Sequence, residues 1–348
     1  MNESGNHKRR VRYKGTYPKK FEEKYKEHRP EEYTETIEKI IQKGSTPVGM
    51  HLPICVNEIM DFLQVKPGQI GLDATLGYGG HGKEILTLLN GKGHLYALDV
   101  DPIESLKTKE RLQSMGYGPE ILTIKNINFS NIDSLTPETG LFDFVLADLG
   151  VSSMQLDTPD RGFSYKTDGP LDLRLNPNEG ITAAKRLENM TQEELEGMLI
   201  ENADEPYAKG IAKAIISRNH RGTPIETTSD LRGVIEKALS FLPEKEQKDM
   251  IKKSCQRTFQ ALRIDINHEF EALHDLLEKL PYILKPEGRV AILTFHSGED
   301  RLVKKSFKQF KKEGLYKEIA TDVIRPSAKE CVQNGRAKSA KLRWAIHF

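Results

Sequence analysis

Short apolar segments alternate with segments of helical periodicity along the first half of the chain. Between the apolar segments, nonpolar residues recur every three to four positions, as in Lys83–Leu89, which is typical of amphipathic helices. This alternation predicts parallel βαβ units and therefore an α/β fold with a doubly wound sheet. The segments that predict strands are Ile70–Thr75, His94–Val100, Ile121–Lys125, Phe142–Leu149 and, much later, Arg289–Phe295.

The alternation is interrupted between Leu149 and Arg289, an interval much longer than one crossover helix. The centre of this interval has helical periodicity, and Thr191 and Glu194 have the spacing of a capping box. We therefore predict a helical subdomain over residues 166–256, inserted into one α/β domain formed by residues 48–165 and 257–348. Residues 1–47 are predicted to form a basic and mixed-charge arm.

The composition is that of an ordinary globular protein and excludes disorder as the general state. The chain has 348 residues, 37% of them hydrophobic and 30% charged, and a formal net charge of +1. The sequence has no apolar run long enough to span a membrane and no signal-peptide core at its start, so we expect a cytoplasmic protein without a membrane anchor. Its three cysteines are far apart and form no CxxC pair, so neither a disulfide framework nor a metal site is predicted.

The net charge of the whole chain is close to zero, but both ends of the chain are basic. The first twenty residues contain seven Lys and Arg against one Glu, and residues 301–348 contain thirteen against four acidic residues. Such ends favour a polyanion such as RNA, although charged stretches also serve solubility alone.

A glycine-rich segment follows the first predicted strand and predicts a cofactor loop. Gly77-x-Gly79-x-x-Gly82 allows a tight strand-to-helix turn and a close approach of backbone N–H groups to a ligand. The next strand ends in Asp99, an acid suited to two ribose hydroxyls. Taken alone, this pattern fits a nicotinamide dinucleotide and S-adenosylmethionine equally well.

Two further acids favour S-adenosylmethionine. Asp73, immediately before the glycines, is unsuited to a pyrophosphate but suits a cofactor with an amino-acid tail and a sulfonium charge. Asp148 ends the fourth predicted strand and is expected at the same edge of the sheet, where ligands of such folds bind. Methyl transfer therefore fits better than hydride transfer.

Several segments resemble the RsmH (MraW) family of methyltransferases, in order, from about His51 to the end of the chain. They are Asp73–His81, Leu98–Pro102, Asp148–Asp157, Arg161–Ser164, Asp168–Arg174, Phe259–Ile264, Phe295–Arg301 and Arg336–Arg343. Gly298 stands where the family usually has Leu, and the segment before His51 is longer than is usual in the family.

The resemblance implies a class I S-adenosylmethionine-dependent methyltransferase with a Rossmann-like sheet and a helical insertion. It implies methylation of N4 of a cytidine in the decoding region of 16S ribosomal RNA, with that RNA or the 30S subunit as partner. Together with the loop analysis, it gives a predicted set of cofactor-binding residues: Asp73, Gly77, Gly79, Gly80, His81, Asp99, Phe129, Asp148 and Gln155.

Asp148 and His296 are the predicted catalytic residues. Asp148 is a candidate acceptor for one N–H of the exocyclic amine, although the same carboxylate fits a purely cofactor-binding role. His296 follows the fifth strand and is placed to contact the base or take up a proton, whereas a structural role is the alternative. A paralogue with another RNA target, a non-catalytic assembly factor and a nicotinamide oxidoreductase stay open, as do a monomeric and a homodimeric state.

Overall fold

The computed structural model describes residues 53–348, so the predicted arm over residues 1–47 lies outside the described residues. The described chain forms a sheet of seven strands: β1 (Ile70–Asp73), β2 (His94–Leu98), β3 (Leu122–Lys125), β4 (Phe142–Asp148), β5 (Leu284–Thr294), β6 (Tyr316–Ile319) and β7 (Lys341–His347). Their order across the sheet is β3-β2-β1-β4-β5-β7-β6. The first five strands are parallel, and β7 is antiparallel to both of its neighbours. This topology confirms the predicted Rossmann-like α/β class.

The helices cover both faces of the sheet. Thirteen α-helices occur in residues 53–348: α1 (Val56–Leu63), α2 (Gly80–Leu89), α3 (Pro102–Ser114), α4 (Thr136–Thr139), α5 (Ser153–Asp157), α6 (Ala183–Asn189), α7 (Gln192–Ala203), α8 (Ala208–His220), α9 (Thr228–Ala238), α10 (Glu244–Asn267), α11 (Glu269–Ile283), α12 (Ser297–Lys312) and α13 (Ala328–Gln333). Apolar residues of α1, α2 and α3 pack in one buried cluster, and those of α11 and α12 pack in another. Within the described residues, no helix is both long and apolar enough to cross a membrane.

All five predicted strands are present, and two further strands were not predicted. Four of the predicted strands differ from the observed ones by one or two residues at their ends, whereas β5 begins at Leu284 rather than Arg289. The additional strands, β6 and β7, complete the sheet beyond β5.

The register of the central strands fixes the position of the predicted site. Asp73 at the end of β1 pairs with Ala97 of β2 on one side and with Leu146 of β4 on the other. The carboxyl ends of β1, β2 and β4 therefore meet at one edge, where the strand order reverses. In open parallel sheets this reversal creates the crevice that binds ligands.

The long interval between β4 and β5 forms the helices α5 to α11 and a buried cluster of its own. That cluster includes Ile211, Leu231 and Phe259. The Thr191 side chain accepts from the Glu194 amide at 3.2 Å, and the Glu194 carboxylate accepts from the Thr191 amide at 2.8 Å, which confirms the capping box. The predicted boundary after residue 256 lies inside α10, and the described residues 53–348 belong to one compact unit. The division of that unit into a core and a subdomain stays a prediction.

Candidate active site

The loop between β1 and α2 has a conformation that favours glycine. Gly77 and Gly79 adopt φ values of +49° and +75°, in the left-handed region. A Cβ at Gly79 would lie 2.8 Å from the Thr108 Cγ2 atom, so close packing adds to the backbone requirement. Gly79 is the N-cap of α2 and has no side chain to satisfy the first turn, whose N–H groups lack intrahelical partners. Such a helix start is suited to a ligand with acceptor groups.

Asp99 at the end of β2 is bonded directly to the glycine loop. Its Oδ2 accepts from the Gly77 amide at 2.8 Å, and its Oδ1 accepts from the Asp101 amide at 2.8 Å. Burial raises the pKa of Asp99 to about 7, because removal of water penalises the carboxylate. Asp99, the candidate for ribose binding, therefore also stabilises the conformation of the glycine loop.

His81 and Asp148 form a charge pair between the first turn of α2 and the end of β4. The His81 Nδ1 lies 3.4 Å from the Asp148 Oδ2, and the His81 Nε2 donates to the Ile54 carbonyl at 2.9 Å. Burial lowers the pKa of His81, but the hydrogen bond and charge of Asp148 outweigh it, so the pKa lies above its ordinary value. The Asp148 contact therefore favours the protonated form of His81.

One oxygen of Asp148 is left for a ligand. Its Oδ1 is buried and has no hydrogen-bond partner among residues 53–348. The backbone amide of Asp148 donates to the Thr75 hydroxyl at 2.6 Å, which holds the end of β4 against the end of β1. Since buried polar atoms normally have partners, an orphaned carboxylate oxygen in this crevice marks the place of a donor group.

Asp73 is a second buried acid at this edge. It is 1% exposed, and its Oδ1 accepts from the Thr75 amide at 3.1 Å. Burial raises the pKa of Asp73 to about 6, although the nearby His81 charge opposes this increase. Asp73, Asp99 and Asp148 together give the crevice an acidic character that suits a positively charged ligand.

Gln155 is placed at the site, but its side chain is engaged within the protein. Its amide nitrogen donates to the Asp101 Oδ2 at 2.8 Å, and its amide oxygen accepts from the Ser152 backbone at 2.9 Å. Asp101 is completely buried and also receives a 2.7 Å ion pair from Arg161. A contact between Gln155 and the cofactor stays a prediction, and the observed contacts give Gln155 a supporting position.

Phe129 lies directly after β3, at the start of a 3₁₀ helix over Phe129–Leu135. The preceding Asn128 caps this helix by accepting from the Ser130 amide at 2.9 Å. The ring of Phe129 is partly buried against the core. Its place beyond the carboxyl end of β3 is compatible with the predicted position beside an adenine.

His296 begins α12 immediately after β5. Its Nδ1 accepts from the Glu299 amide at 3.4 Å, and its Nε2 lies 3.1 Å from the Glu299 Oε1 without an aligned hydrogen bond. Burial raises the pKa of Glu299, but His296, Arg263 and the Phe295 amide together lower it below its ordinary value. His296 therefore caps α12 and pairs with Glu299, and its catalytic role stays a prediction.

Three side chains around His296 have the spacing of metal ligands, but an arginine already neutralises one of their carboxylates. Glu269, His296 and Glu299 have donor atoms within 4.8 Å of one another. Arg263 donates to both oxygens of Glu269 at 2.8 and 2.9 Å. The guanidinium thus occupies the position of the counter-charge that a metal ion would supply.

The structure brings most predicted residues to one edge of the sheet and adds three that the sequence reasoning did not select. Asp73, Asp99, Asp148 and His296 follow the ends of β1, β2, β4 and β5, respectively. The residues not selected are Thr75, Asp101 and Glu299, which hold the functional side chains in place. Each of the three belongs to a segment that resembles the RsmH (MraW) family, and this resemblance is the sequence feature that could have identified them.

Comparison with known proteins shows the family of the chain. A family model described as the MraW methylase family matches residues 49–347. The ribosomal RNA small subunit methyltransferase H 1 of Lachnoclostridium phytofermentans is 68% identical over 340 residues, which cover 98% of this chain and 93% of that protein. The protein of the same name from Agathobacter rectalis is 64% identical over 346 residues, which cover 99% of each chain. Among solved structures, an rRNA methylase from Streptococcus thermophilus aligns over 86% of this chain at 12% identity and a TM-score of 0.40, and over 99% of its own chain.

Proposed function

The chain belongs to the MraW methylase family, and we propose that it methylates N4 of a cytidine in the decoding region of small-subunit ribosomal RNA. The methyl donor is S-adenosylmethionine, which supplies an electrophilic methyl group on a positively charged sulfur. The observation that carries the proposal is the Asp148 carboxylate, whose buried Oδ1 has no partner among the described residues and lies beside the glycine loop. The 30S subunit or its RNA is the proposed acceptor.

The residues of the crevice fit this donor. Gly77, Gly79 and Gly80 form a turn close enough for backbone contacts, and Asp99 presents a carboxylate to the ribose. The acidic Asp73 and Asp148 complement the ammonium and sulfonium charges of the donor. Phe129 and Gln155 complete the proposed contacts at the adenine and methionine ends.

Asp148 has the properties needed to activate a weak nucleophile. The exocyclic amine of cytosine is unreactive because its lone pair is delocalised into the ring. An acceptor for one N–H keeps the amine in position for in-line attack and increases the electron density on nitrogen. Bound S-adenosylmethionine would supply the methyl group and would leave as a neutral thioether, while Asp148 Oδ1 or water would accept the proton that N4 releases.

His81 fixes the orientation of Asp148 that this chemistry requires. The imidazole lies beside Oδ2 and leaves Oδ1 as the acceptor for the reacting amine. The imidazole is itself held by the Ile54 carbonyl. We assign His81 a positioning role in addition to its predicted place among the cofactor-binding residues.

The target base must leave its helix to reach this edge of the sheet. A cytosine in a paired or stacked region is extruded at a cost of a few kcal/mol, and contacts to the RNA backbone offset that cost. His296, which follows β5 and directly precedes α12, is the proposed protein contact to the base on this part of the edge.

The decisive experiment measures labelled methyl transfer from S-adenosylmethionine to small ribosomal subunits from a strain that lacks this gene. Wild-type protein should place the label in N4-methylcytidine. Asp148→Ala and Asp148→Asn should reduce kcat by about 100-fold or more, with cofactor Kd changed much less. Asp322→Asn serves as the control because Asp322 is an exposed acid on the β6–β7 side of the sheet.

Two results would contradict the proposal. Label in a nucleoside other than N4-methylcytidine would move the assignment to a different RNA target. Equal rates for wild type and both Asp148 variants would remove Asp148 from the chemistry, whatever nucleoside carries the label.

A further inference from the structure

Helix α12 has one apolar face and one strongly basic face. Val303, Phe307 and Phe310 are buried on the side that packs against the sheet. The opposite side carries six cations with spacings of three and four residues, which places them on one surface of the helix. All six side chains are exposed, and we call this surface the α12 basic face: Arg301, Lys304, Lys305, Lys308, Lys311 and Lys312.

The thirteen Lys and Arg residues of 301–348 fall into two groups, those that form ion pairs and those that do not. Five form ion pairs with acids: Arg301 with Asp204, Lys317 with Glu287, Arg336 with Asp157, and both Lys341 and Arg343 with Asp300. Among the described residues the other eight have no acidic partner within ion-pair distance. Five of these eight are the lysines of the α12 basic face.

The single pair formed by the α12 basic face is weak. The Arg301 Nη2 lies 3.6 Å from the Asp204 Oδ2, and both side chains are more than two-thirds exposed. Water screens such a pair, and its contribution to stability is small. Arg343, by contrast, is 5% exposed and donates to Asp300 at 2.6 Å, so its charge serves the fold.

The α12 basic face begins at the candidate active site. His296 is the N-cap of α12, so the first cation, Arg301, follows the site by little more than one turn. From Arg301 to Lys312 the cations extend over about 17 Å along the helix axis. This is the length of a few nucleotides of RNA backbone.

Unpaired lysines repel one another on a helix and so do not stabilise it. Lys presents a flexible point charge, which suits phosphates whose positions vary and which carry no base identity. An acidic protein surface would also complement these charges. The acceptor of this methyltransferase family is RNA, however, and the lysines extend directly away from the site that receives the base.

We propose that the α12 basic face binds phosphates of the acceptor RNA next to the target nucleotide and holds the strand while the base enters the crevice. This inference rests on the proposed function, because it takes the acceptor to be RNA.

The test compares two triple variants that remove the same charge. Lys304→Gln, Lys308→Gln and Lys311→Gln neutralise the α12 basic face. Lys66→Gln, Lys92→Gln and Lys109→Gln form the control: Lys66 and Lys92 precede β1 and β2 at the amino edge of the sheet, and Lys109 is on α3, across the sheet from α12. Binding of protein-free 16S RNA is measured across a salt series, together with KM, kcat and cofactor Kd.

We expect the α12 variant to bind the RNA about 10-fold or more weakly at physiological salt. The slope of log K against log salt should decrease in magnitude by about two to three, one for each lost phosphate contact. At saturating acceptor, kcat and the cofactor Kd should stay at wild-type values. The control variant should show a much smaller change in slope.

Equal slopes for the two triple variants would overturn the proposal. So would normal binding of the α12 variant to free RNA combined with weaker binding to the assembled subunit, because that result would assign the face to a ribosomal protein. Failure of the proposed function is distinguishable, since it would be seen as absent methyl transfer by the wild type, whereas the binding comparison requires no turnover.

Discussion

The His81 Nδ1 lies 3.4 Å from the Asp148 Oδ2, and this contact joins the cofactor loop to the proposed catalytic carboxylate. His81 is 5% exposed, and its other nitrogen donates to the Ile54 carbonyl. The imidazole therefore has little freedom to rotate away from Asp148. A residue of the glycine segment thus controls the orientation of a side chain at the end of β4.

Replacement of His81 by Gln should slow methyl transfer more than it weakens cofactor binding. Gln keeps a donor of similar reach but has neither the ring nor the charge of the imidazole, so Asp148 loses the partner that orients it. We expect kcat to fall by about 10- to 100-fold, which is the range for misplaced catalytic groups. Single-turnover rates and cofactor calorimetry measure the two effects separately. A variant with normal kcat and weak cofactor binding would restrict His81 to cofactor binding.

The His81–Asp148 pair should also make stability depend on pH. Because the folded-state pKa of His81 is raised, its contribution is fully present below the unfolded-state value and is lost as pH rises through the folded value. Wild type should exceed His81→Gln by about 2 kcal/mol near pH 6, and the difference should shrink at higher pH. Urea denaturation at several pH values measures this. A pH-independent difference would show that His81 is neutral in the folded protein.

Cofactor affinity should increase with pH between about 5.5 and 7.5. Burial raises the pKa values of Asp73 and Asp99 to about 6 and about 7, so both acids are partly protonated at the lower end of this range. Ionised carboxylates attract the cationic donor and accept from ribose hydroxyls. Calorimetry at constant ionic strength gives Kd at each pH.

The variant Asp99→Asn tests whether Asp99 is responsible for part of this pH dependence of cofactor affinity. Loss of one charged acceptor should weaken binding by about 10- to 100-fold at pH 7.5. The variant should also lose the part of the pH dependence that lies near pH 7. An unchanged pH profile in Asp99→Asn would assign the titration to another group.

Gly79→Ala should cost more stability than Gly91→Ala. Both glycines have positive φ, +75° and +70°, so an alanine at either position costs roughly 1–2 kcal/mol in backbone strain. Only at Gly79 does a new Cβ also meet a neighbour, the Thr108 Cγ2 atom at 2.8 Å, whereas nothing lies within 4 Å at Gly91. Denaturant unfolding of the two variants should differ by about 1–3 kcal/mol. Equal losses would show that the loop adjusts to the methyl group.

Asp101→Ala should strongly destabilise the protein. The Asp101 side chain accepts from the Ile103 and Glu104 amides, from Gln155 and from Arg161. Its removal leaves an arginine without its buried partner, a change that costs about 3–5 kcal/mol. Asp160→Ala, an exposed acid next to Arg161, is the control and should change stability by less than about 0.5 kcal/mol. A loss below about 1 kcal/mol for Asp101→Ala would mean that water replaces the carboxylate.

The parallel part of the sheet was predictable because its strands are apolar on both faces. β4, for instance, has five fully buried residues in a run of seven. β7 was missed because it includes Lys341, Arg343 and His347, and the buried Arg343 disrupts any alternation of polar and apolar positions. Its partner Asp300 lies on α12, so the compensation is visible only in the folded chain.

The features of the candidate site that depend on a single local motif were predictable from the sequence. Asp99 and Asp148 end their strands, and the turn geometry accounts for Gly77 and Gly79. The contacts that join separate motifs were not predictable: the pairing of His81 with Asp148 and the engagement of Gln155 by Asp101 depend on how distant segments pack. Residues of one sequence motif were correctly expected to lie near the same site. The motif did not show which side chains are free to bind a ligand and which hold other side chains in position.

Strand β7 follows β6 in the chain and yet lies between β5 and β6 in the sheet. Of the seven strands, the one that emerges last during translation is therefore an interior strand. Until it is made, one edge of β5 has no partner, and Thr294, whose hydroxyl donates to the Lys341 carbonyl at 3.2 Å, lacks its contact next to Phe295 and His296. A chain that stops before Lys341 thus cannot assemble this side of the crevice, and we expect methyl transfer to require the synthesis of β7 after the other six strands.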